Sequence, residues 1–406
     1  MENTSKIYVA LPLIDELDHL PALLGCFAKQ TFTNFEVFAC INQPDDWWDD
    51  EQKRQVCLNN AETIRILKEV KNFRIRIIDK TSHGSGWAGK QVGVGWARRT
   101  IMDEISKVAD EIDVILSLDG DTTFSEHYFG SVLEAFIRNP EIHSAAIPYY
   151  HKLTGDKPAD LAILHYEIYM RYYAINLLRI GCPYAFTALG SAMACTVKAY
   201  RRIGGMTPHK SGEDFYFLQK LKKFGGMLIT LDEKVYPAAR FSSRVFFGTG
   251  PAMIKGAAGD WDSYPVYNYR FFDEVAETFG EFKNLFTADI ETPMASFLDE
   301  KFEKGQLWQP LRENSKSSAQ FAKACITKID GLRILQYLKW RQQQVCERDE
   351  ENLKDFLYKF YNQENLSEIL PEPVIFEESS VEVLGKIRDF LFLKEEEWQQ
   401  KIRILR

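Results

Sequence analysis

Long apolar runs are missing from this 406-residue chain. None reaches the roughly 18 residues that a membrane-spanning helix requires, so no transmembrane segment is expected. Paired cysteine motifs are missing too. Seven cysteines lie scattered at 26, 40, 57, 182, 195, 325 and 346, an odd number with no CxxC spacing. That argues against a zinc ribbon or a disulfide framework and fits a reducing, cytoplasmic setting. A positive charge excess is absent, because the formal net charge is -8. Nucleic-acid binders neutralise phosphates with clustered Lys and Arg, so no nucleic-acid partner is expected. The opening residues, Met1-Glu2-Asn3-Thr4-Ser5-Lys6, show no signal-peptide pattern and run directly into a strand-like segment. Late histidines are lacking as well: all seven lie at or before His209, so the chain beyond it offers no imidazole to a metal.

The hydrophobic fraction is 45%. That supports a large core and, at this length, one large domain with an appendage or two domains. Residues 6–12, 35–41, 73–79 and 112–118 read as strands. Residues 16–30, 88–108 and 125–138 read as helices, the first from the spacing of Leu20, Leu23, Leu24 and Phe27. Alternating strands and helices predict an α/β fold with a mostly parallel, Rossmann-like sheet flanked by helices. After residue 150 the rhythm changes. A long aromatic helix is predicted over 158–180, a Gly- and Ala-rich stretch over 185–195, and a helix from 213. Beyond 270 the chain reads as nearly all helix, so the expected division is 1–270 and a helical region over 271–406. Within the latter, residues 326–341 pair an apolar stripe with Lys and Arg. Such a stripe is expected either to be a helix docked on the catalytic domain or to touch a membrane surface.

The strongest chemical feature is Leu116-Ser117-Leu118-Asp119-Gly120-Asp121. A buried strand delivers two carboxylates at its C-terminal end, where open α/β sheets place ligands. In extended backbone, residues i and i+2 face the same way, so Asp119 and Asp121 can address one site. Their hard oxygens suit Mn2+ or Mg2+. The alternative is a polar turn that merely caps a strand. Gly212-Glu213-Asp214 comes next, before a helix-like Phe215-Tyr216-Phe217-Leu218. Acidic residues are favoured at a helix start by the macrodipole, and an ionised carboxylate there can also serve as a general base. In Gly86-Trp87-Ala88-Gly89-Lys90-Gln91-Val92-Gly93, small residues allow close backbone approach and Lys90 can meet a phosphate. The spacing is neither a P-loop nor a dinucleotide fingerprint, and ordinary helix packing explains it equally well.

Taken in order, these pieces resemble family 2 glycosyltransferases, which have the GT-A fold, over about residues 5–250. Ala10-Leu11-Pro12-Leu13-Ile14-Asp15-Glu16 is similar to the family's opening strand and acidic turn. Lys90-Gln91-Val92-Gly93, with Ala97 after it, is similar to its Arg-Asn-x-Gly segment, and Asp119-Gly120-Asp121 to its metal motif. Ala188-Leu189-Gly190-Ser191-Ala192-Met193-Ala194 and Tyr200-Arg201-Arg202-Ile203-Gly204-Gly205-Met206 resemble its acceptor-side stretch, and Gly212-Glu213-Asp214 its acidic pair.

The resemblance implies sugar transfer from a UDP- or GDP-sugar to a saccharide or lipid-linked saccharide, in surface polysaccharide or glycoconjugate synthesis, with Mn2+ or Mg2+ as cofactor. The donor part would span about residues 1–122 and the acceptor part about 123–270. Pro12, Asp15, Glu16, Asn42 and Lys90 would hold the donor, Asp119 its ribose, and Asp121 the metal, with Asp119 beside it. Asp214 would be the base of an inverting displacement, and Glu213, Gly190, Ser191 and His209 would face the acceptor. Arg240 and Arg244, ahead of Gly248 and Gly250, could close over a diphosphate. Trp47 and Trp48 either stack on the sugar or anchor their loop. Two departures stand out. Ile41-Asn42-Gln43-Pro44 replaces the family's Asp-Asp-Gly-Ser, leaving Asn42 to meet a base edge, and no late His exists for the metal. A retaining transferase, a sugar-nucleotide nucleotidyltransferase and a non-catalytic nucleotide-sugar-binding protein are the alternatives. The second expects a Gly-rich basic loop after the first strand, where Pro12-Leu13-Ile14-Asp15-Glu16 stands instead. A peripheral membrane contact at the inner face is compatible with a lipid-linked acceptor.

Overall fold

The computed structural model describes residues 5–89, 91–209, 212–242, 248–302, 307–370 and 373–405. The chain forms two compact units: residues 1–163, 186–257 and 403–406 in the first, residues 164–185 and 258–402 in the second.

The first unit is built on an eight-stranded sheet. Its parallel half is β1 (Ile7–Leu13), β2 (Phe35–Asn42), β3 (Arg74–Lys80) and β4 (Val114–Ser117), in spatial order β3-β2-β1-β4. Every residue of β1 and β2 is buried, as expected of central parallel strands covered on both faces. Edge strand β3 is half-exposed. Beyond a short β5 (Thr123–Phe124), the sheet continues through β6 (Ser144–Ala146), β7 (Met193–Thr196) and β8 (Met227–Leu228). Strand β7 runs antiparallel between β4 and β6, and β10 (Ile404–Leu405) closes the far edge against β8. A separate two-stranded ribbon pairs β5 with β9 (Val235–Tyr236).

The helices of this unit are α1 (Leu20–Ala28), α2 (Arg54–Glu69), α3 (Val94–Val108), α4 (Tyr128–Arg138), the first turns of α5 (Lys157–Arg179), α6 (Val197–Arg202), α7 (Glu213–Phe224) and α8 (Thr249–Ala257). The predicted strands and helices therefore form, with one instructive shift. Helix α3 begins at Val94 rather than 88, because Gly89 and Gly93 take φ of 63° and 105°. Those values are open to glycine and unfavourable for other residues. Helix α3 packs across β1 and β2, and Phe27, Phe35, Phe73, Phe124 and Phe129 form an aromatic cluster between α1, α4 and the sheet.

Pro12 sits inside β1 without breaking the sheet. Leu118 N–H donates to the Ala10 carbonyl at 3.1 Å, so Ala10 faces β4, and Pro12, two residues on, faces the same side. Pairing with β4 ends at Ser117, opposite Ala10. The donor that proline lacks thus falls where no ladder partner remains.

The second unit is helical. It contains the rest of α5 with α9 (Tyr269–Gly280), α10 (Ala295–Phe302), α11 (Trp308–Glu313), α12 (Ser318–Lys328), α13 (Gly331–Gln342), α14 (Asp349–Phe360), α15 (Leu366–Ile369) and α16 (Val381–Ile402). The amphipathic stripe read as one helix over 326–341 is two helices. Asp330 caps α13 by accepting from Arg333 N–H at 3.3 Å, which ends α12 just before it. Its apolar face docks: Ile334, Tyr337 and Leu338 are fully buried, and the Tyr337 hydroxyl and Arg341 both bond Glu274 on α9. That face is not free to meet a membrane. No helix among the described residues is long and apolar enough to cross one.

Gly120 packs where no side chain fits. An added Cβ would lie 2.6 Å from Glu16 Cγ and 2.7 Å from a Leu13 methyl. Gly120→Ala should lower stability by about 1–3 kcal/mol through overpacking. Gly25, inside α1 with open space around it, should instead gain up to about 1 kcal/mol as Ala. Thermal and urea midpoints of the two variants should move in opposite directions.

Candidate active site

The Asp119-Gly120-Asp121 segment leaves the end of β4 as a turn. Thr122 N–H donates to the Asp119 carbonyl at 3.2 Å, so the extended-strand alternation expected for the two aspartates does not apply. Instead, their carboxylates go to different arginines.

Asp119 meets Arg98. This arginine lies on α3 and is 1% exposed. One Nη donates to Asp119 Oδ1 at 2.6 Å, and the other bonds Glu213 at the start of α7. Two segments more than ninety residues apart are thereby tied to one buried guanidinium. Its Nε has no hydrogen-bond partner among the described residues. Space for the guanidinium comes from Gly190, where a Cβ would lie 2.4 Å from an Arg98 Nη, and Gly190 is itself fixed by Ser117 Oγ donating to its carbonyl at 2.7 Å. Gly95 does the same one turn earlier on α3, its Cα passing so close that a Cβ would touch the His209 carbonyl at 2.4 Å. Burial works against charge on Arg98, yet Asp119 and Glu213 outweigh it and raise its pKa.

Asp121 meets Arg240. The β5–β9 ribbon places residue 240 four positions past β9, over the turn that follows β4. Arg240 donates from Nε to Asp121 Oδ2 at 2.8 Å and from Nη2 to both Glu16 oxygens at 2.7 Å, and Nη2 lies 2.6 Å from the same Asp121 oxygen in an ion pair. Glu16 is 5% exposed. Its side chain is the one an added Cβ on Gly120 would strike, so it also sets the height of the turn.

Asp214 stands beside Glu213 in the first turn of α7, half-buried, with Oδ1 accepting from Phe215 N–H at 2.7 Å. The helix is entered through Gly212 at φ 70°, a left-handed conformation that suits glycine. Burial, then the neighbouring Glu213, pushes Asp214 up to about 7, against the opposing pull of Arg98. Burial also raises Asp119, with Arg98 opposing and Asp121 and Glu213 adding to the rise. Five carboxylates (Glu16, Asp119, Asp121, Glu213 and Asp214) and two guanidiniums thus share one neighbourhood.

Other expected site residues are placed differently. Asn42 is 2% exposed, and its amide is committed: Nδ2 donates to the Leu13 carbonyl at 2.9 Å and Oδ1 accepts from Trp87 Nε1 at 3.1 Å. It braces the ends of β1 and β2. Asp15 takes φ 53° and turns to α2, accepting from Asn59 Nδ2 at 2.8 Å while its N–H donates to Asn60 Oδ1 at 2.8 Å. Pro12 is buried in β1. Gly190, expected to face an acceptor, faces Arg98 instead, and Ser191 is 3% exposed. His209 packs against Tyr216 of α7 with the rings tilted by 34° and their centroids 4.3 Å apart. Trp48 anchors its loop through Nε1 to the Thr81 carbonyl at 2.6 Å. Lys90 and Arg244 lie outside the described residues.

Arg98 was not singled out by the sequence reading, although a signal existed. The buried face of α3 includes Gly95, Ala97, Ile101, Met102 and Ile105, and Arg98 falls on that same face. An arginine at an apolar-stripe position is rarely buried without an acidic partner.

No family model matches the chain, and no curated protein matches it. Solved structures that align with it include glycosyltransferases. Residues 1–349 of TarS from S. aureus, in complex with UDP-GlcNAc, align at 14% identity and TM-score 0.39 over 98% of this chain and 92% of that one. The mannosyltransferase PcManGT from Pyrobaculum calidifontis, in complex with GDP-Man and Mn2+, aligns at 13% identity and TM-score 0.37, covering 89% of each. GalNAc-T7 with UDP, GalNAc and Mn2+ aligns at 12% identity and TM-score 0.38, over 81% of this chain and 58% of that one. At such identities and scores the likeness assigns no residue a role.

Proposed function

We propose that the protein is a glycosyltransferase that takes a sugar from a UDP- or GDP-sugar and passes it, with inversion, to a hydroxyl of a saccharide or lipid-linked saccharide. One observation carries this reading: Arg98 binds Asp119, at the carboxyl end of the parallel strands, and Glu213, next to Asp214, at once. A residue suited to the donor and a residue suited to the acceptor thereby address one site at the sheet edge where α/β folds place ligands.

Asp119, locked by Arg98, presents its remaining carboxylate edge to a ribose hydroxyl. Glu213, locked from the other side, orients the acceptor. Asp214 is the base. A carboxylate whose pKa lies near 7 is well matched to accepting a hydroxyl proton at neutral pH. As the acceptor oxygen bonds to the anomeric carbon, the carbon–oxygen bond to the diphosphate breaks, the electron pair leaves with the diphosphate, and the hydroxyl proton passes to Asp214. A single displacement of this kind inverts the centre.

The donor set suits a hard divalent ion: Asp121, with Asp119 beside it, offers carboxylate oxygens, and a guanidinium already resting on Asp121 marks a place where positive charge is favoured. Among the described residues, no three His, Cys, Asp or Glu side chains are grouped to hold a metal by themselves, so diphosphate and water would supply the other ligands. Bound there, Mn2+ or Mg2+ supplies charge neutralisation for the departing diphosphate.

Asp214→Asn should retain donor affinity and lose about 10²–10⁴-fold in turnover; normal turnover in that variant would remove the base assignment. In the wild type, kcat/KM should rise with pH and level off above about 7, where the free enzyme's Asp214 is ionised. Linkage gives a second readout. Because folding raises the Asp214 pKa, its contribution to stability is full below the ordinary aspartate value and is lost as pH rises through about 7. Urea midpoints should therefore fall less between pH 4 and 7.5 in Asp214→Asn than in wild type. For the metal, Asp121→Asn should abolish the Mn2+-dependent part of donor-induced thermal stabilisation; undiminished stabilisation would count against Asp121.

A further inference from the structure

We propose that the Arg240 guanidinium and the divalent cation are alternative occupants of the Asp121 carboxylate, so that cation binding displaces Arg240. This rests on the metal role of Asp121 given above. The geometry points to exchange rather than coexistence. Nε and Nη2 of Arg240 both converge on the single oxygen Asp121 Oδ2, at 2.8 and 2.6 Å. A bound Mg2+ sits about 2.0–2.1 Å from its oxygen ligands, so a cation on that oxygen would press its two positive charges against a guanidinium within hydrogen-bond distance. Like charges at such separations in a half-buried site repel strongly.

Glu16 gives the arginine somewhere to stay. Both of its oxygens accept from Arg240 Nη2 at 2.7 Å, and Glu16 is 5% exposed. The guanidinium can therefore give up Asp121 without losing its counter-charge. The remaining N–H groups of its planar fork then become available to an anion, for which arginine geometry is well matched. In this scheme Arg240 is a positioning residue that keeps Asp121 neutralised and in place until a cation arrives. The cost is a weaker affinity for the cation in the absence of donor.

The test is a titration of the full chain with MnCl2, without nucleotide, reading free Mn2+ by electron paramagnetic resonance. Arg240→Gln should bind Mn2+ at least about tenfold more tightly than wild type, since a competing positive charge is gone. Arg240→Lys retains the charge but not the two-point grip, and should fall between the two. It also serves if the Gln variant fails to fold, which circular dichroism will show. Asp121→Asn, made in each background, should remove the difference between them. Equal Mn2+ affinity in wild type and the Arg240 variants would overturn the exchange. So would Mn2+ binding that survives Asp121→Asn undiminished, or no binding by any variant at millimolar MnCl2. Donor binding is scored separately from thermal shifts with UDP- and GDP-sugars. Its absence alongside a tenfold Mn2+ difference would tell against the transferase and leave the exchange standing.

Discussion

A single buried guanidinium organises the carboxyl edge of the parallel strands. Arg98 has given up nearly all contact with water, which is costly for an ion unless carboxylates replace the solvent. Asp119 and Glu213 do so from opposite sides of the site. Each belongs to a different element, β4's exit and α7's entrance, so the ion pairs fix the separation of those elements as well as satisfying the charge. Removing Glu213 would leave a buried, half-compensated cation, a change that costs about 3–5 kcal/mol where buried pairs are broken. The surrounding glycines follow from the same constraint. Gly190 leaves room for the guanidinium, and Gly95 lets the His209 backbone approach α3 closely enough for α7 to begin beside it.

Much of this frame was legible in the chain. Period-two and continuous apolar runs marked the parallel strands, and the Asp119-Gly120-Asp121 and Gly212-Glu213-Asp214 segments stood out as acids at element ends. What the sequence could not express was which charge met which. Arg98 sits one residue after Ala97 in an amphipathic helix, and its role depends on α3 lying across β1 and β2. Polarity at a strand's end suggests a ligand contact at Asn42, and the sequence does not show that its amide also braces the Leu13 carbonyl and the Trp87 indole. The alternation argument for Asp119 and Asp121 failed because β4 stops at Ser117 and the next residues turn. A strand's last residue is a tertiary matter, decided here by where β1 and β7 cease to pair with it.

The second unit repeats the use of buried ions, for a different purpose. Glu167 and Arg171 on α5 and Arg388 and Glu395 on α16 are all almost fully buried. Arg171 bonds Glu167 at 2.8 Å and Glu395 at 2.6 Å, and Arg388 bonds Glu167 at 2.5 Å. Two acids and two bases cancel within one cluster. Such a network is a weak source of stability relative to an apolar core, but it accepts only one registration of two long helices, because sliding either by a turn would leave a buried charge unmatched. Glu274 fixes α13 on α9 in the same way, through Tyr337 and Arg341. That is why a helix whose basic stripe could be read as membrane-seeking is instead held by its neighbours.

Charge balance then connects the two arginines of the first unit. Among the described residues, five carboxylates face two guanidiniums there, an excess of acidic groups. A sugar nucleotide adds the negative charge of its diphosphate and would be repelled unless positive charge comes with it. Arg98 cannot supply that charge, since it is itself buried and its Nη groups are committed to Asp119 and the buried Glu213. Arg240 can, because its own side chain is 25% exposed where that of Arg98 is 2% exposed, and its tether is a short ribbon rather than the body of a helix. The division of labour follows from burial: the buried arginine sets geometry, and the half-buried one remains exchangeable. On the proposed reading, a cation is needed less to create the site than to change which carboxylate Arg240 serves. On that same reading, the electrostatic demand of the diphosphate, not the presence of an aspartate motif by itself, gives Asp121 a role distinct from that of Asp119.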